Sequence, residues 1–277
     1  MGIVMNRSAG TQICAWLVIA GFMLFPAAIV EAGEASVPKK NLPLPGEVFL
    51  VGGRMAFLIP AKVEPGKVKG WVWYAPTLPN LPGPEERWMF EKFLASGISI
   101  AGIDVGESYG SPSGRAQFTV FYHEMTMRRG YSTKPVLLGR SRGGLMTMSW
   151  AAENPDKVGA FAGIYPVCSV ASYPGVANAA GAYGLTSAQL QASLNEHNPV
   201  DRLAGLAKAK VPLFAIHGDI DKVVPLEANS GLMKERYSAM GGSMELLVPK
   251  GQGHNMWIGF FQSEELVRFV RTHAKSQ

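Results

Sequence analysis

The chain has 277 residues, 47% of them hydrophobic and 17% charged, with 26 Lys and Arg against 21 Asp and Glu for a net charge of +5. That length and apolar content suit one large α/β domain or two small ones, and they exclude an intrinsically disordered chain. The basic residues are scattered rather than gathered into a stripe, which argues against a nucleic-acid partner.

The first 32 residues differ from the rest. Arg7 gives a positive start, ICAWLVIAGFMLFPAAIV (13–30) carries no charge, and Val30-Glu31-Ala32 precedes Gly33. This is the pattern of a secretory signal peptide over residues 1–32, so the mature protein is expected to be secreted or periplasmic and not bound to a membrane. A retained anchor is the alternative, because the run reaches the lower limit for spanning a bilayer. Pro26 and the small residues after it favour cleavage. Cleavage removes Cys14 and leaves Cys168 as the only thiol, so no intramolecular disulfide is expected. Cys168 sits in YPVCSVASYP with no helix start after it, and is expected to be a small buried hydrophobe.

Residues 33–46 (GEASVPKKNLPLPG) form a proline-rich, extended lead-in, and 47–277 form a single domain. EVFLVGG, RMAFLIP and KGWVWYAP are predicted as three short strands, the last two joined through VEPGK. Residues 84–96 form a helix that opens on Pro84 and two glutamates and stops at Gly97. GISIAGIDV is a fully apolar strand, 115–130 a helix, KPVLLGRS another strand, and 143–154 a helix ended by Asn154-Pro155. A strand follows in DKVGAFAGIYPV. Residues 168–205 then break the rhythm, with one helix near 187–195. VPLFAIHGD is a strand, 225–241 a helix, GSMELLVPKG a strand, and 256–274 one closing helix.

Apolar strands separated by helices predict a mostly parallel sheet of about eight strands with helices on both faces. The first three strands lack intervening helices and are expected at an antiparallel edge. The 168–205 insertion is expected to act as a lid over the crevice at the carboxyl ends of the strands.

Two Gly-x-Ser-x-Gly segments offer a nucleophile. GRSRG (139–143) places Ser141 between an apolar strand and a helix, a turn that projects the hydroxyl at the sheet's carboxyl edge. Gly139 and Gly143 let backbone approach closely there, and the helix start turns N–H groups and a positive dipole towards a developing oxyanion. GESYG (106–110) places Ser108 before a loop with proline, which suits a loop over the crevice instead. A serine hydroxyl needs a base, and the base needs an acid. Of five histidines, His254 lies just after the last strand between Gly251 and Gly253. His217, in AIHGD at a strand end, is expected to be structural. IHGDIDKVVP offers Asp219 and Asp221 as the acid. Asp219 follows the glycine and suits a turn, whereas Asp221 lies further into the loop. The order Ser141, Asp221, His254 is the one this architecture demands.

With GRSRGG, HGDIDKVVP, GQGH and IDVGESYGS in place, the sequence resembles the α/β-hydrolase superfamily over roughly residues 47–274. HNPVDRL leading into VPLFAIHGDIDKVVP looks like the C-terminal half of prolyl-oligopeptidase-like and esterase-like members. That likeness implies Asp221 as the acid of the triad, and a serine hydrolase with no metal or organic cofactor. Many members carry glycines after the third strand to complete the oxyanion hole, but here WYAPTLPNLPGP stands in that place. An amide of Thr77 or Leu78 would serve, with Arg142 as the other donor; Pro76 and Pro79 have no N–H to give. Ser-Arg at the elbow is similar to the Gly-Cys-Ser-Arg of glucuronoyl esterases. The similarity implies that Arg140 or Arg142 holds a carboxylate or a polar sugar; otherwise both pair with Asp104, Glu107 or Glu153. Glu107, Tyr109 and Trp257 are further candidates for contact with substrate, while Trp71, Trp73, Trp88 and Trp150 lie at core spacing. A carboxylic ester, small-molecule or carbohydrate-linked, is the expected substrate. A peptide is the first alternative, and a non-catalytic binding domain the second.

Overall fold

Eight strands form one sheet in the computed structural model of the chain, which describes Gly2 and residues 39–274. The chain divides into two units, Met1–Ser36 and Val37–Gln277. The expected signal peptide and residues 33–38 of the lead-in lie outside the described residues, and the architecture below is that of the second unit. Among the described residues no helix is long and apolar enough to cross a membrane.

The strands are β1 (Glu47–Val51), β2 (Arg54–Ile59), β3 (Trp71–Ala75), β4 (Ser99–Ile103), β5 (Val136–Arg140), β6 (Ala160–Ile164), β7 (Leu213–Ile216) and β8 (Met244–Leu247). Their order across the sheet is β1-β2-β4-β3-β5-β6-β7-β8. β1 and β2 form an antiparallel hairpin, β2 pairs antiparallel with β4, and every later pairing is parallel. The antiparallel edge expected from the sequence therefore holds for β1 and β2 but not for β3. All five residues of β3 are buried, and a strand apolar on both faces needs neighbours and helices on both sides. It lies between β4 and β5.

The helices are α1 (Arg87–Ala95), α2 (Pro112–His123), α3 (Gly143–Glu153), α4 (Val176–Tyr183), α5 (Ser187–Ala192), α6 (Leu194–His197), α7 (Ala204–Lys208), α8 (Ser230–Ala239), α9 (Ile258–Phe261) and α10 (Glu264–Ala274). Alternation along β3 sets the two cores. Trp71 and Trp73 point to the face covered by α2, α3 and α8, where Trp73 meets Phe118 and Trp150 with ring centroids 4.9 Å apart. Val72 and Tyr74 point to the face covered by α1 and α10, among Phe90, Phe93 and Phe269.

Three boundaries differ from expectation. α2 starts at Pro112 rather than residue 115, because Pro112 takes the first helical position and the Ser111 hydroxyl accepts the Gly114 N–H. The stretch beyond its end is a π-helical segment, Glu124–Arg128. The single closing helix is two, since Ser263 Oγ accepts the Leu266 N–H and starts α10 afresh. The 168–205 insertion carries α4, α5 and α6, not one helix. Small residues in VANAAGAY hide the periodicity of α4, which ends at left-handed Gly184. Ala179, Ala180, Tyr183 and Leu190 pack with Leu145 and Val224, so the insertion sits on the start of α3.

Register lines up the site. Arg140 pairs with Ile164, Ile164 with Ile216, and Ile216 with Leu247. The next residue along β5, β6 and β7 is therefore Ser141, Tyr165 and His217, side by side at one rim. Their N–H groups extend the ladder, to Ile164 O (2.9 Å), Ile216 O (2.8 Å) and Leu247 O (3.0 Å).

Candidate active site

Ser141 turns between β5 and α3 with φ of 51°, a left-handed conformation rare for a residue with a side chain. Two later contacts over-determine it: its carbonyl accepts the Gly144 N–H at 2.9 Å and the Val167 N–H at 2.8 Å. The glycines flanking it are required by space. A Cβ on Gly139 would stand 2.9 Å from the backbone of Gly144, and one on Gly143 would run into the carbonyl oxygen of Ala75. Gly143→Ala is expected to lower the unfolding free energy by about 1–3 kcal/mol, as overpacking does. The check is a urea midpoint that falls at unchanged slope.

The Ser141 hydroxyl lies 2.9 Å from His254 Nε2, and His254 Nδ1 lies 2.8 Å from Asp221 Oδ2. The network fixes the tautomer: Nδ1–H donates to the carboxylate and Nε2 accepts the serine O–H. The Asp221 side chain is wholly buried, while that of His254 is 18% exposed. The other Asp221 oxygen accepts the Val223 and Val224 N–H groups at 2.9 and 2.8 Å. Burial by itself would raise the Asp221 carboxyl; hydrogen bonds from His217, Val224 and His254 outweigh it and hold the group at about 2. Burial pushes the His254 imidazole below its ordinary value, with His217 and Arg140 adding to the fall and Asp221 opposing it. His217, fully buried, donates from Nε2 to Val224 O at 2.8 Å with Asp221 Oδ2 3.4 Å from the same nitrogen, and its Nδ1 lies 2.8 Å from the Ser230 hydroxyl. It therefore ties the acid's loop to α8.

Asp219 does a different job. One of its oxygens accepts the Gly251 N–H at 2.7 Å and the other pairs with Lys250 at 3.6 Å, which closes the loop that carries His254. Ser108 is buried against Gly114 at the start of α2. Cys168 is fully buried, and that burial pushes its thiol up, away from nucleophilic use.

The expected oxyanion donors lie on two segments. Arg142 immediately precedes α3. Gly143 comes against Ala75 and the Pro76 nitrogen, one residue before Thr77. Thr77 is buried, with its hydroxyl donating to Tyr74 O at 3.3 Å. Leu78 is half-buried, and its carbonyl accepts from Lys40 Nζ and from the Leu81 N–H.

The residues expected to touch substrate divide. Arg142 pairs with Glu107 at 2.8 Å, with both side chains partly exposed. Tyr109 has φ of 48°, and its carbonyl accepts the Tyr183 hydroxyl at 2.8 Å, which ties this loop to the insertion. Trp257 is 39% exposed, edge-on to Phe260. Arg140 is already engaged. Its guanidinium turns away under the elbow to Glu86, at 2.6 Å, where the carboxylate is fully buried and also accepts the Tyr74 hydroxyl at 2.8 Å. A substrate carboxylate at Arg140 would have to displace this buried partner.

Sequence reasoning missed three residues here. Tyr165, in the row beside Ser141, lays its ring on His254 with centroids 4.3 Å apart. Its φ of 35° has no signal in the sequence. Glu86 passes for an ordinary first-turn acid of a helix. Met256 receives Arg140 Nη2 at 3.1 Å. Among the described residues no three His, Cys, Asp or Glu side chains are grouped to hold a metal ion.

Residues 123–275 match the prolyl oligopeptidase family. No curated protein sequence matches the chain. Among solved structures it is similar to a puromycin-hydrolyzing peptidase of Mycobacterium tuberculosis, with 15% identity and a TM-score of 0.65 over 83% of this chain and 39% of that one. It is also similar to the acylaminoacyl peptidase of Pyrococcus horikoshii, with 14% identity and a TM-score of 0.68 over 84% of this chain and 42% of that one. A third is MPT51 of Mycobacterium tuberculosis, with 15% identity and a TM-score of 0.64 over 83% of this chain and 99% of that one. The chain thus spans well under two thirds of the two peptidases, and at these identities the likeness is one of fold.

Proposed function

This chain belongs to the prolyl oligopeptidase family and is a serine hydrolase of α/β-hydrolase fold, and on that premise we propose that it is an exported esterase working through an acyl-enzyme. The observation that carries the mechanism is the relay from Asp221 through His254 to Ser141, with both links under 3 Å. Ser141 Oγ attacks the acyl carbonyl as His254 Nε2 takes its proton. The tetrahedral oxyanion sits at the start of α3, against the amides of Arg142 and of Thr77 or Leu78. His254 then protonates the departing alkoxide, and the alcohol leaves. Water repeats the sequence on the acyl-Ser141 ester, which releases the acid and restores the serine. Asp221 stays ionised and holds the imidazole in the tautomer that accepts the serine proton.

Two observations support an ester over a peptide. The carboxylates paired with the elbow's arginines, Glu86 and Glu107, are so engaged rather than held ready for a peptide amine. The loops bearing Asp221 and His254 expose Ile220, Val223, Met256, Trp257 and Ile258, an apolar rim suited to an uncharged group. A carbohydrate-linked ester now rests on the Arg142–Glu107 pair alone, whose polar atoms suit sugar hydroxyls. Family membership favours a second reading, cleavage of a peptide or aminoacyl amide. A fluorophosphonate probe tests the hydrolase itself: one adduct on Ser141 is expected, and an unlabelled protein would refute it. A panel of acyl-sugar, uronate-ester, aryl-ester and dipeptide-amide substrates then separates the readings, because faster amide than ester cleavage would overturn ours.

The lowered imidazole predicts a pH profile. His254 works as a base only when neutral, so the acid limb of kcat/KM is expected below pH 6.5, with a plateau above it. A limb centred above 7 would contradict the burial argument. Export is proposed from the apolar run at 13–30, and N-terminal sequencing of protein recovered outside the cytoplasm is expected to begin at Gly33.

A further inference from the structure

Glu86 and Arg140 form a buried ion pair directly beneath the nucleophile, and nothing in the acyl-transfer steps uses it. Glu86 is fully buried and receives three donors: Arg140 Nη1 at 2.6 Å, the Tyr74 hydroxyl at 2.8 Å, and the Gly83 N–H at 2.8 Å. An ion pair so placed gains little stability over an apolar pair of the same size, so its presence asks for another reason. The other end of the guanidinium supplies one. Arg140 Nη2 donates to the Met256 thioether at 3.1 Å, and its plane lies over the Phe261 ring at 4.9 Å. Both residues belong to the segment that carries His254. The Tyr165 hydroxyl approaches the same sulfur at 4.0 Å, and its ring lies on the imidazole.

We infer that Glu86 and Arg140 are positioning residues for the base: Glu86 fixes the guanidinium, and the guanidinium clasps Met256 and Phe261 so that His254 is held on Ser141. The inference rests on the hydrolase reading above. The physical need is plain. His254 stands on a loop that packs no helix until Ile258, and Met256 and Trp257 between them are 48% and 39% exposed. Asp219 closes this loop before His254, at Gly251 and Lys250; the stretch after His254 needs a hold of its own, because a base displaced by about 1 Å costs about a hundredfold in rate. The titratable and charged groups that bear on His254 are Asp221 and His217 from the β7 side and Arg140 from β5, with Tyr165 of β6 against its face. Arg140 is the one group that acts both as a clasp and as a positive charge disfavouring imidazolium.

Three variants separate those roles, read by the rate of Ser141 labelling with a fluorophosphonate across pH. Met256→Leu keeps the bulk and all charges but removes the sulfur acceptor; labelling is expected to slow several-fold at an unchanged midpoint. Arg140→Lys keeps the charge, but one ammonium cannot bridge Glu86 and Met256. It is expected to slow labelling at least tenfold, again at an unchanged midpoint and at unchanged affinity for the probe. The neutral pair Glu86→Gln with Arg140→Met leaves no orphaned charge; it is expected to slow labelling as much and to move the midpoint to higher pH. Met256 is half exposed, so its variant folds and decides the matter even where the others do not. A folded Met256→Leu protein, or a folded Arg140→Lys protein, that labels at the unmodified rate would overturn the inference while leaving the hydrolase reading intact. An unmodified protein that takes no probe would overturn both.

Discussion

Replacing Ser141 with alanine is expected to lower kcat by about 10⁶-fold and to abolish fluorophosphonate labelling. The magnitude follows from where the proton goes. The Ser141 hydroxyl is the group that His254 Nε2 reaches, at 2.9 Å, so without Oγ the base has no nucleophile to activate. Water admitted into the gap left by the hydroxyl lacks the covalent path and the fixed approach. The residual rate then comes from the oxyanion donors and binding, about 10³–10⁴ over water. Ser108→Ala is the matched control. Ser108 occupies the second Gly-x-Ser-x-Gly segment but packs on Gly114 at the start of α2, so its loss is expected to change kcat/KM less than threefold. Intact-mass analysis of the labelled protein provides the direct check. An adduct that persists in Ser141→Ala, or one that disappears in Ser108→Ala, would relocate the nucleophile.

The contrast between those serines shows what the amino-acid order discloses. Ser141 directly follows a strand, VLLGR, that is apolar up to its last residue, and precedes a helix, so its place at the sheet rim follows from period and punctuation alone. His254 and Asp221 are legible for the same reason, since each follows an apolar strand end. Residues that act across the fold are not. Glu86 and Arg140 are 54 positions apart, and neither carries a local mark of the other. Arg140 read as a substrate ligand because its neighbour is the nucleophile; yet successive residues of a strand point to opposite faces, and Arg140 goes where Leu138 goes. Tyr165 is visible only through register, which sets it beside Ser141 once β5 and β6 are paired. The place of β3 inside the sheet was likewise implicit in its two apolar faces but hidden by the missing helix before it.

Asp221→Asn is expected to lower kcat by about 10⁴-fold with little change in KM. The asparagine oxygen can keep the Val223 and Val224 N–H groups, so the loop retains its shape. Its amide nitrogen then faces His254 Nδ1, where the carboxylate oxygen stood at 2.8 Å. Two donors cannot share that contact, so the imidazole moves its proton to Nε2 and presents N–H to the serine, the wrong tautomer for a base. Charge adds to the defect. The ionised Asp221, held at about 2, stabilises the imidazolium that forms during attack, and no neutral group replaces that. The pH profile gives a second readout with a definite sign. Asp221 raises the His254 value, so its loss is expected to shift the surviving acid limb to lower pH. Asp219→Asn separates loop from relay: Asp219 holds Gly251 and Lys250 rather than the imidazole, and its loss is expected to cost less than tenfold with no shift of the limb. Were Asp219→Asn the more damaging of the two, the acid would have to be reassigned and the burial of Asp221 would need another cause.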